Sequence, residues 1–408
     1  MSFNLSNVKA FIVGLLAFIL TSLNLFLTGM DFAGTKSDSE FYMRMFQNFS
    51  NQFHILQLED YEVASGPIYV HLLGLLVNLI PFKSHLIIQV IYAVFAVLTV
   101  YFLIRILESV GNLVRLILIV IITSSGYFVA PVLHPTSDAA ANLFLISTIY
   151  FFKEKRNLSF SICLALLVST RQSFGWIIVA FLIYEFMNKW PITGRTFIEI
   201  VRLYLPSVLS LVLTFYYFKY QLTPVIYLNS QPQNTYQVPN LLGIFQIGFI
   251  LVTIFVPLIL LGGINLSRSV NRPGIYIFAF LYVVFSFYST RDLVISDGMG
   301  FLSLFVNRFN LPVYFIIIVS LTGFSIFSQF LIHNKLLFNE ITLFILIFCL
   351  STTVMPIPFL RYFYVTFVIL LIWQFSSQGR IFTEMSKISS SLIGIYFFLY
   401  NMAVISLK

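Results

Sequence analysis

Charged residues are scarce in this chain of 408 residues. Only 9% of the residues are Asp, Glu, Lys or Arg, whereas 59% are hydrophobic. Soluble domains carry about 25% charged residues, so this composition excludes an ordinary soluble protein. The sequence therefore predicts an integral membrane protein built from apolar helices.

Cysteine and long polar stretches are also nearly absent. The two cysteines, Cys163 and Cys349, lie inside apolar runs, which argues against a disulfide framework and against a thiolate metal site. The longest polar stretch, from Asp31 to about Gly66, is too short and too poor in core residues to fold independently. No basic run is interleaved with exposed aromatic residues, so the net charge of +8 does not indicate nucleic-acid binding.

Apolar runs recur along the whole chain. A hydrocarbon core about 30 Å thick needs roughly 20 apolar residues per helix, and we predict an all-α polytopic protein with about 13 transmembrane helices. The first run has no cleavage-site signature after it and is interpreted as a retained span. The predicted spans cover roughly residues 8–29, 86–104, 116–131, 139–152, 157–170, 172–187, 203–218, 241–262, 274–290, 309–331, 337–354, 359–376 and 389–406.

One apolar stretch, residues 67–82, is left out of the predicted spans. It is short and bounded by two prolines. Counting it as a span would move the basic residues of 153–156 to the side of the acidic first loop, against the preference of Lys and Arg for the cytoplasmic face. We therefore expect a re-entrant or juxtamembrane helix within a first outer loop that covers residues 30–85.

A cytoplasmic N-terminus distributes the charges unevenly across the membrane. Most Lys and Arg residues then face the cytoplasm, whereas every Asp in the chain faces outward, together with His134, Arg171 and Arg361. Several of these groups lie at span ends, where an ionisable side chain is costly unless it is paired or lines a hydrated cavity. The pattern predicts a polar cavity that opens to the outer face.

The first candidate site is an acidic cluster directly after the first span. It contains Asp31, Asp38 and Glu40, and Asp60 and Tyr69 follow it. Two nearby carboxylates can supply a general base for an acceptor hydroxyl, while a second acid orients the acceptor or holds a cation. A solvated, charged loop at a helix end is the alternative.

The second candidate site is the polar turn from His134 to Asp138, which lies between two apolar spans. Asp138 is expected to cap the following helix by accepting backbone N–H bonds. Capping is compatible with a substrate contact, in which His134 would be a phosphate or hydroxyl partner.

The third candidate site is centred on Arg171, between two predicted spans that are each too short for the full bilayer. A thinned or notched region is expected there. The guanidinium group suits a phosphate, and Gln172 adds a neutral donor and acceptor. The alternatives are an arginine that snorkels to the interface and one that pairs with Asp138 for structure. Arg361, followed by Tyr362, is a second candidate phosphate clamp with the same alternatives.

In their order along the chain, these motifs resemble the GT-C class of membrane glycosyltransferases. The motifs are an acidic pair after the first span, a small residue with Pro and an aromatic residue at 66–69, a Thr/Ser-Asp turn, Arg-Gln after a short span, and Arg-Tyr-Phe near the last spans. The pattern is most similar to the dolichyl-phosphate-glucose alpha-1,2-glucosyltransferase family, and it extends over roughly residues 30 to 375.

This resemblance implies a polyprenyl-phosphate-linked sugar as donor and inverting transfer to an acceptor hydroxyl at the outer face. It implies Asp38 as the general base, with Glu40 or Asp60 orienting the acceptor. Arg171 and Arg361 would stabilise the charge that develops on the departing lipid phosphate. No metal site and no cofactor are expected, although a divalent cation is compatible with the acidic cluster.

We expect a single transmembrane domain over 1–408, with a GT-C-like catalytic module in 1–220 and variable C-terminal helices in 221–408. The Asn, Ile, Phe and Lys bias suggests a bacterial inner membrane, a site facing the periplasm or exterior, and a lipid-linked glycan or cell-surface polysaccharide as acceptor. Two alternatives stay open. One is a polysaccharide polymerase or ligase, and the other is a lipid-glycan transporter or flippase.

Overall fold

The computed structural model describes more than half of the chain. These are residues 5–28, 39–46, 66–78, 85–110, 112–218, 247–248, 250–252, 254, 313–333, 340–354 and 360–377. All regular structure in these ranges is helical. The predicted all-α class is confirmed for this part of the chain.

The helices follow the apolar runs closely. They are α1 (Leu5–Thr28), α2 (Pro67–Asn78), α3 (His85–Ile106), α4 (Asn112–Thr123), α5 (Gly126–Leu133), α6 (Ser137–Lys153), α7 (Asn157–Thr170), α8 (Gly175–Asn188), α9 (Gly194–Tyr217), α10 (Val313–His333), α11 (Glu340–Val354) and α12 (Leu360–Ser377). Residues 39–46 form a further short helix, and 3₁₀ turns cover Leu107–Ser109 and Gln172–Phe174.

Three segments in the described ranges are long and apolar enough to cross a membrane by themselves. They are Asn7–Thr28, Ile87–Ser109 and Gly194–Tyr217, and the bent pair α4 and α5 adds a fourth if it is one broken span. The membrane-protein class is thereby supported, while the count of thirteen spans stays a prediction. The predicted spans 274–290 and 389–406 lie wholly outside the described residues.

A break at residues 124 and 125 divides the predicted span 116–131 into α4 and α5. The Ser124 hydroxyl donates to the Val120 carbonyl at 2.6 Å, which is the local bond that competes with a regular helix. Thr21 of α1 donates to the Ser124 carbonyl at 3.4 Å. A neighbouring helix thus satisfies a carbonyl that the break releases.

Apolar side chains form an exposed stripe on α1, which fits a lipid environment. Residues spaced three or four apart share one face of a helix. This stripe consists of Ile12, Leu16, Leu20, Leu23 and Leu27, which are between 49% and 73% exposed. A continuous apolar face of this length is unusual in water and ordinary against acyl chains.

One compact unit contains the described parts of Met1–Ala33, Ile106–Tyr127 and Tyr236–Lys408. In this unit α1 packs along α4, and α12 packs against α11 and the turn Leu107–Ser109.

A buried arginine ties the chain together in this unit. The Arg115 guanidinium donates to the carbonyls of Leu107, Glu108 and Val110 at 3.0 to 3.1 Å, and also to the Asn7 side-chain oxygen. Asn7 in turn donates to the Glu108 carboxylate at 3.2 Å. Because carbonyls at a helix end have no intrahelical partner, one guanidinium closes that end and joins three chain segments.

The second compact unit contains the described parts of Gly34–Arg105 and Phe128–Thr235. Here α7 packs between α6 and α9, and α2 contacts both α7 and α9. Phe152, Phe160 and Phe181 join α6, α7 and α8, with ring centroids 4.7 to 5.6 Å apart. This aromatic contact holds α7 and α8 in place around the break that separates them.

Candidate functional site

The α-helical structure is interrupted between α7 and α8, and Arg171 lies at this break. Each helix has 14 residues, which corresponds to about 21 Å, less than the thickness of a hydrocarbon core. Arg171 is extended, its N–H donates to the Leu167 carbonyl at 3.0 Å, and its carbonyl accepts from the Phe174 N–H at 3.0 Å. Hydrogen bonds on both sides therefore fix the backbone that carries the guanidinium group.

Arg171 forms a buried ion pair with Asp138. Arg171 Nη2 lies 2.5 Å from Asp138 Oδ1, and the two side chains are only 11% and 8% exposed. The other carboxylate oxygen accepts a long hydrogen bond of 3.4 Å from the Thr136 hydroxyl. Both carboxylate oxygens of Asp138 are thereby paired.

The expectation that Asp138 caps its helix is wrong. The N-cap residue of α6 is Thr136, whose side chain makes no capping bond, and Asp138 is the second helical residue. Its carboxylate faces Arg171 instead. The negative charge nevertheless lies in the first turn of α6, where the helix dipole favours it.

Buried hydroxyl groups surround this ion pair. Tyr42, from the helix 39–46, shares a 2.7 Å hydrogen bond with Ser137, and Tyr69 of α2 is hydrogen-bonded to Tyr92 of α3. The three tyrosines are at most 4% exposed, and the charge of Asp138 acts on both Tyr69 and Tyr92. Burial raises the pKa of the Tyr69 hydroxyl well above its ordinary value, so Tyr69 stays neutral.

Gly66, the residue before α2, lies directly against the break that carries Arg171. The Gly66 N–H donates to the Thr170 carbonyl at 3.4 Å. A Cβ atom at Gly66 would overlap the Ser169 carbonyl oxygen, so the close approach of the two backbones requires glycine. Pro67 then occupies the first position of α2, where its missing N–H costs no helical bond.

A cavity of about 180 Å³ opens beside the turn 134–138. The Gln89 amide donates to the Leu133 carbonyl across 3.5 Å, at the outer limit of a hydrogen bond. The turn contributes its first two residues to the cavity and its last residue to the ion pair. The lining residues are Ser39, Glu40, Met43, Gln89, Leu133, His134 and Pro135.

The second unit brings together six of the residues predicted from the sequence. Glu40 and His134 line the cavity, Tyr69 belongs to the hydroxyl groups, and Asp138 pairs with Arg171. Gln172 is buried beside Arg171, and its side-chain nitrogen has no hydrogen-bond partner within the described segments.

The remaining predicted residues are not placed by these contacts. Asp31, Asp38 and Asp60 lie outside the described residues, and Arg361 and Tyr362 belong to the first turn of α12, in the other unit. Their roles therefore stay predictions.

Three residues of the site were missed by the sequence reasoning. Gln89 carried a usable signal, because it is a lone amide inside the apolar run 86–104. Tyr42 and Tyr92 carried none, since a tyrosine in an apolar segment is equally typical of an interfacial belt.

Within the segments described above, no group of three or more His, Cys, Asp or Glu side chains is placed to hold a metal ion. Comparison with known protein families, with curated proteins and with solved structures found no match to this chain. The function is therefore argued from the residues themselves.

Proposed function

We propose that this protein is a glycosyltransferase that moves a sugar from a polyprenyl-phosphate-linked donor to an acceptor hydroxyl on the outer face of the membrane. The observation that carries the proposal is a convergence of polar groups in a chain of apolar helices. The Arg171–Asp138 pair, the tyrosine hydroxyls and the cavity at Glu40 and His134 meet in one compact unit. Polar groups gathered inside a membrane protein mark a functional site by default.

The role proposed for Arg171 follows from the charge of the leaving group. When the bond between the anomeric carbon and the phosphate oxygen breaks, negative charge develops on the lipid phosphate. An arginine has five N–H donors, so pairing with Asp138 through Nη2 is compatible with a phosphate contact through the remaining donors. A donor held in a fixed orientation stabilises developing charge without reorganising. Arg361 is the second phosphate contact in this proposal.

The acceptor side accounts for the acidic cluster. The acceptor oxygen attacks the anomeric carbon as the phosphate leaves, which inverts the configuration, and a carboxylate takes the acceptor proton. Asp38 is the base in this proposal, and Glu40 or Asp60 orients the acceptor. Glu40 is exposed at the cavity, which supports an acidic group near the reacting atoms. No cofactor is needed, and a divalent cation could bridge the acidic residues and the phosphate.

The finer topology belongs to the same proposal. The chain has about 13 spans, a GT-C-like arrangement, and α2 as the re-entrant or juxtamembrane helix of the first outer loop. We place it in a bacterial inner membrane, with the site facing the periplasm or exterior. A lipid-linked glycan or a cell-surface polysaccharide is the acceptor.

The proposal is tested with purified protein in lipid nanodiscs. A panel of undecaprenyl-phosphate-linked hexoses and N-acetylhexosamines is supplied together with a bacterial membrane-lipid extract as acceptor. Mass spectrometry follows donor loss and product formation. We expect one donor to be consumed, Asp38→Asn to abolish its consumption, and the exposed control Glu199→Gln to be as active as the unaltered protein.

Donor consumption that is unchanged in Asp38→Asn would remove Asp38 as the base. A protein that consumes no donor, or that moves the intact donor between leaflets as a flippase does, would overturn the proposed function.

A further inference from the structure

We infer that the cavity beside the turn 134–138 binds a single neutral sugar ring, and that Gln89 and Glu40 select its hydroxyl groups. The ligand class rests on the proposed function. The inference separates two kinds of contact within one site, since it assigns the sugar to the cavity and leaves the phosphate to the neighbouring arginine.

The size of the cavity fits one ring. A volume of 180 Å³ corresponds to about six water molecules at the density of the liquid. One monosaccharide ring fits such a space.

The chemistry of the lining also fits a sugar. A sugar ring has an apolar C–H face and a rim of hydroxyl groups. Met43, Leu133 and Pro135 supply apolar surface, while the polar lining residues are Ser39, Glu40, Gln89 and His134. Ligand sites commonly combine mostly apolar walls with a few polar groups that fix orientation.

The charge of the lining disfavours a phosphate. Among the described residues that line the cavity, Glu40 is acidic and none is Lys or Arg. A carboxylate accepts hydrogen bonds from sugar hydroxyls and repels a second anion. The cation of the site, Arg171, is instead held by Asp138 at the other end of the turn.

Gln89 is placed to change partners when a ligand binds. Its 3.5 Å bond to the Leu133 carbonyl is long and therefore weak. An amide offers two donors and one acceptor oxygen, which matches a hydroxyl group that both donates and accepts. A site that hydrogen-bonds a hydroxyl discriminates strongly against a sugar that lacks it.

Binding is measured first without any lipid. Methyl glycosides of glucose, mannose, galactose and N-acetylglucosamine serve as probes, and saturation-transfer NMR with the detergent-solubilised full chain measures their dissociation constants. We expect saturable binding of at least one probe. Gln89→Leu should weaken that binding about threefold to tenfold and Glu40→Gln by more than about tenfold, as expected for one neutral and one charge-assisted hydrogen bond.

Matched variants control for general damage to the protein. Asn188 is an exposed helical amide that donates to the Tyr184 carbonyl, so Asn188→Leu repeats the chemical change of Gln89→Leu away from the cavity. Met43→Trp fills the cavity without removing a polar group and should abolish binding. The inference is overturned if no probe binds, which is the behaviour of a cavity that holds only water, or if both Gln89→Leu and Met43→Trp bind like Asn188→Leu.

A transfer assay identifies the source of the ring. A rise in the KM for the donor lipid in Gln89→Leu assigns the cavity to the donor sugar, and a rise in the KM for the acceptor assigns it to the acceptor sugar. Transfer in which Gln89→Leu raises neither KM contradicts the sugar site and leaves the proposed transferase standing. Glycoside binding that depends on Gln89 in a protein that consumes no donor contradicts the proposed transferase and leaves the sugar site standing.

Discussion

The ion pair between Arg171 and Asp138 yields a prediction that separates structural stabilisation from chemistry. The pair is tested by Asp138→Asn, by Arg171→Gln, and by the double variant. Asp138→Asn removes the charge and keeps the size of the side chain, whereas Arg171→Gln removes the charge and also shortens the side chain. A matched control is the exposed pair of Arg195 and Glu199, which is 3.3 Å apart with side chains 91% and 57% exposed.

The magnitude follows from burial. Removing one partner of a buried ion pair costs about 3 to 5 kcal/mol, because the other charge is left in a medium that solvates it poorly. With 11% and 8% of the two side chains exposed, we expect about 3 kcal/mol for each single variant. The double variant removes both charges and should recover most of that loss. The exposed control pair should show a coupling free energy of less than about 0.5 kcal/mol.

The free energy of unfolding is measured by SDS titration in mixed micelles, with tryptophan fluorescence as the signal. Transfer activity is measured on the same samples. We expect the double variant to be folded and inactive. Its fold no longer contains an unpaired buried charge, but the guanidinium group that contacts the phosphate is missing. A coupling free energy as small as that of the control would refute the reasoning from burial. Full activity of the double variant would remove Arg171 from the chemistry.

Two further changes test how the segments are joined. Gly66→Ala should lower the free energy of unfolding by about 1 to 3 kcal/mol and reduce activity, because the added Cβ would overlap the Ser169 carbonyl. The control Gly194→Ala should be neutral, because no atom lies within 4 Å of the added Cβ. Equal thermal stabilities of the two variants would contradict the close approach of the two backbones. Arg115→Met should lower the free energy of unfolding by about 3 kcal/mol or more, since it removes the hydrogen bonds to three carbonyls. The control Arg195→Met should change the free energy of unfolding by less than about 0.5 kcal/mol. A similar loss in both variants would refute the role of Arg115.

Local patterns in the sequence were enough to predict several elements of the fold. The missing N–H of Pro67 and the small residue before it indicated where α2 begins, and the helix extends over Pro67–Asn78. The polar residues at 170–173 indicated the break between α7 and α8. Both features depend on backbone chemistry within a few residues, which a sequence shows directly.

Contacts between helices were harder to predict. The pairing of Arg171 with Asp138 was one of several alternatives, and choosing it requires knowing that α6 lies beside α7. In a soluble helix the apolar stripe reveals the packed face. Here lipid-facing and buried positions are both apolar, so an apolar stripe does not identify the packed face.

The wrong capping expectation has a related cause. Thr136 and Asp138 are both good capping residues within one short turn. The backbone of the turn makes Thr136 the N-cap residue, and the Arg171 cation at the break after α7 attracts the carboxylate. Helix propensity alone determines neither the N-cap residue nor this partner.

The bond between Asn7 and Arg115 has a consequence for biosynthesis. The two residues are 108 positions apart, and α2 and most of α3, which are made between them, belong to the other compact unit. At about 5 to 20 residues per second, α1 waits roughly 5 to 20 seconds in the membrane before α4 is synthesised. During this interval the face of α1 that later packs against α4 needs other partners. This helix therefore completes its packing only after α2 and most of α3, which belong to the second unit, have been made.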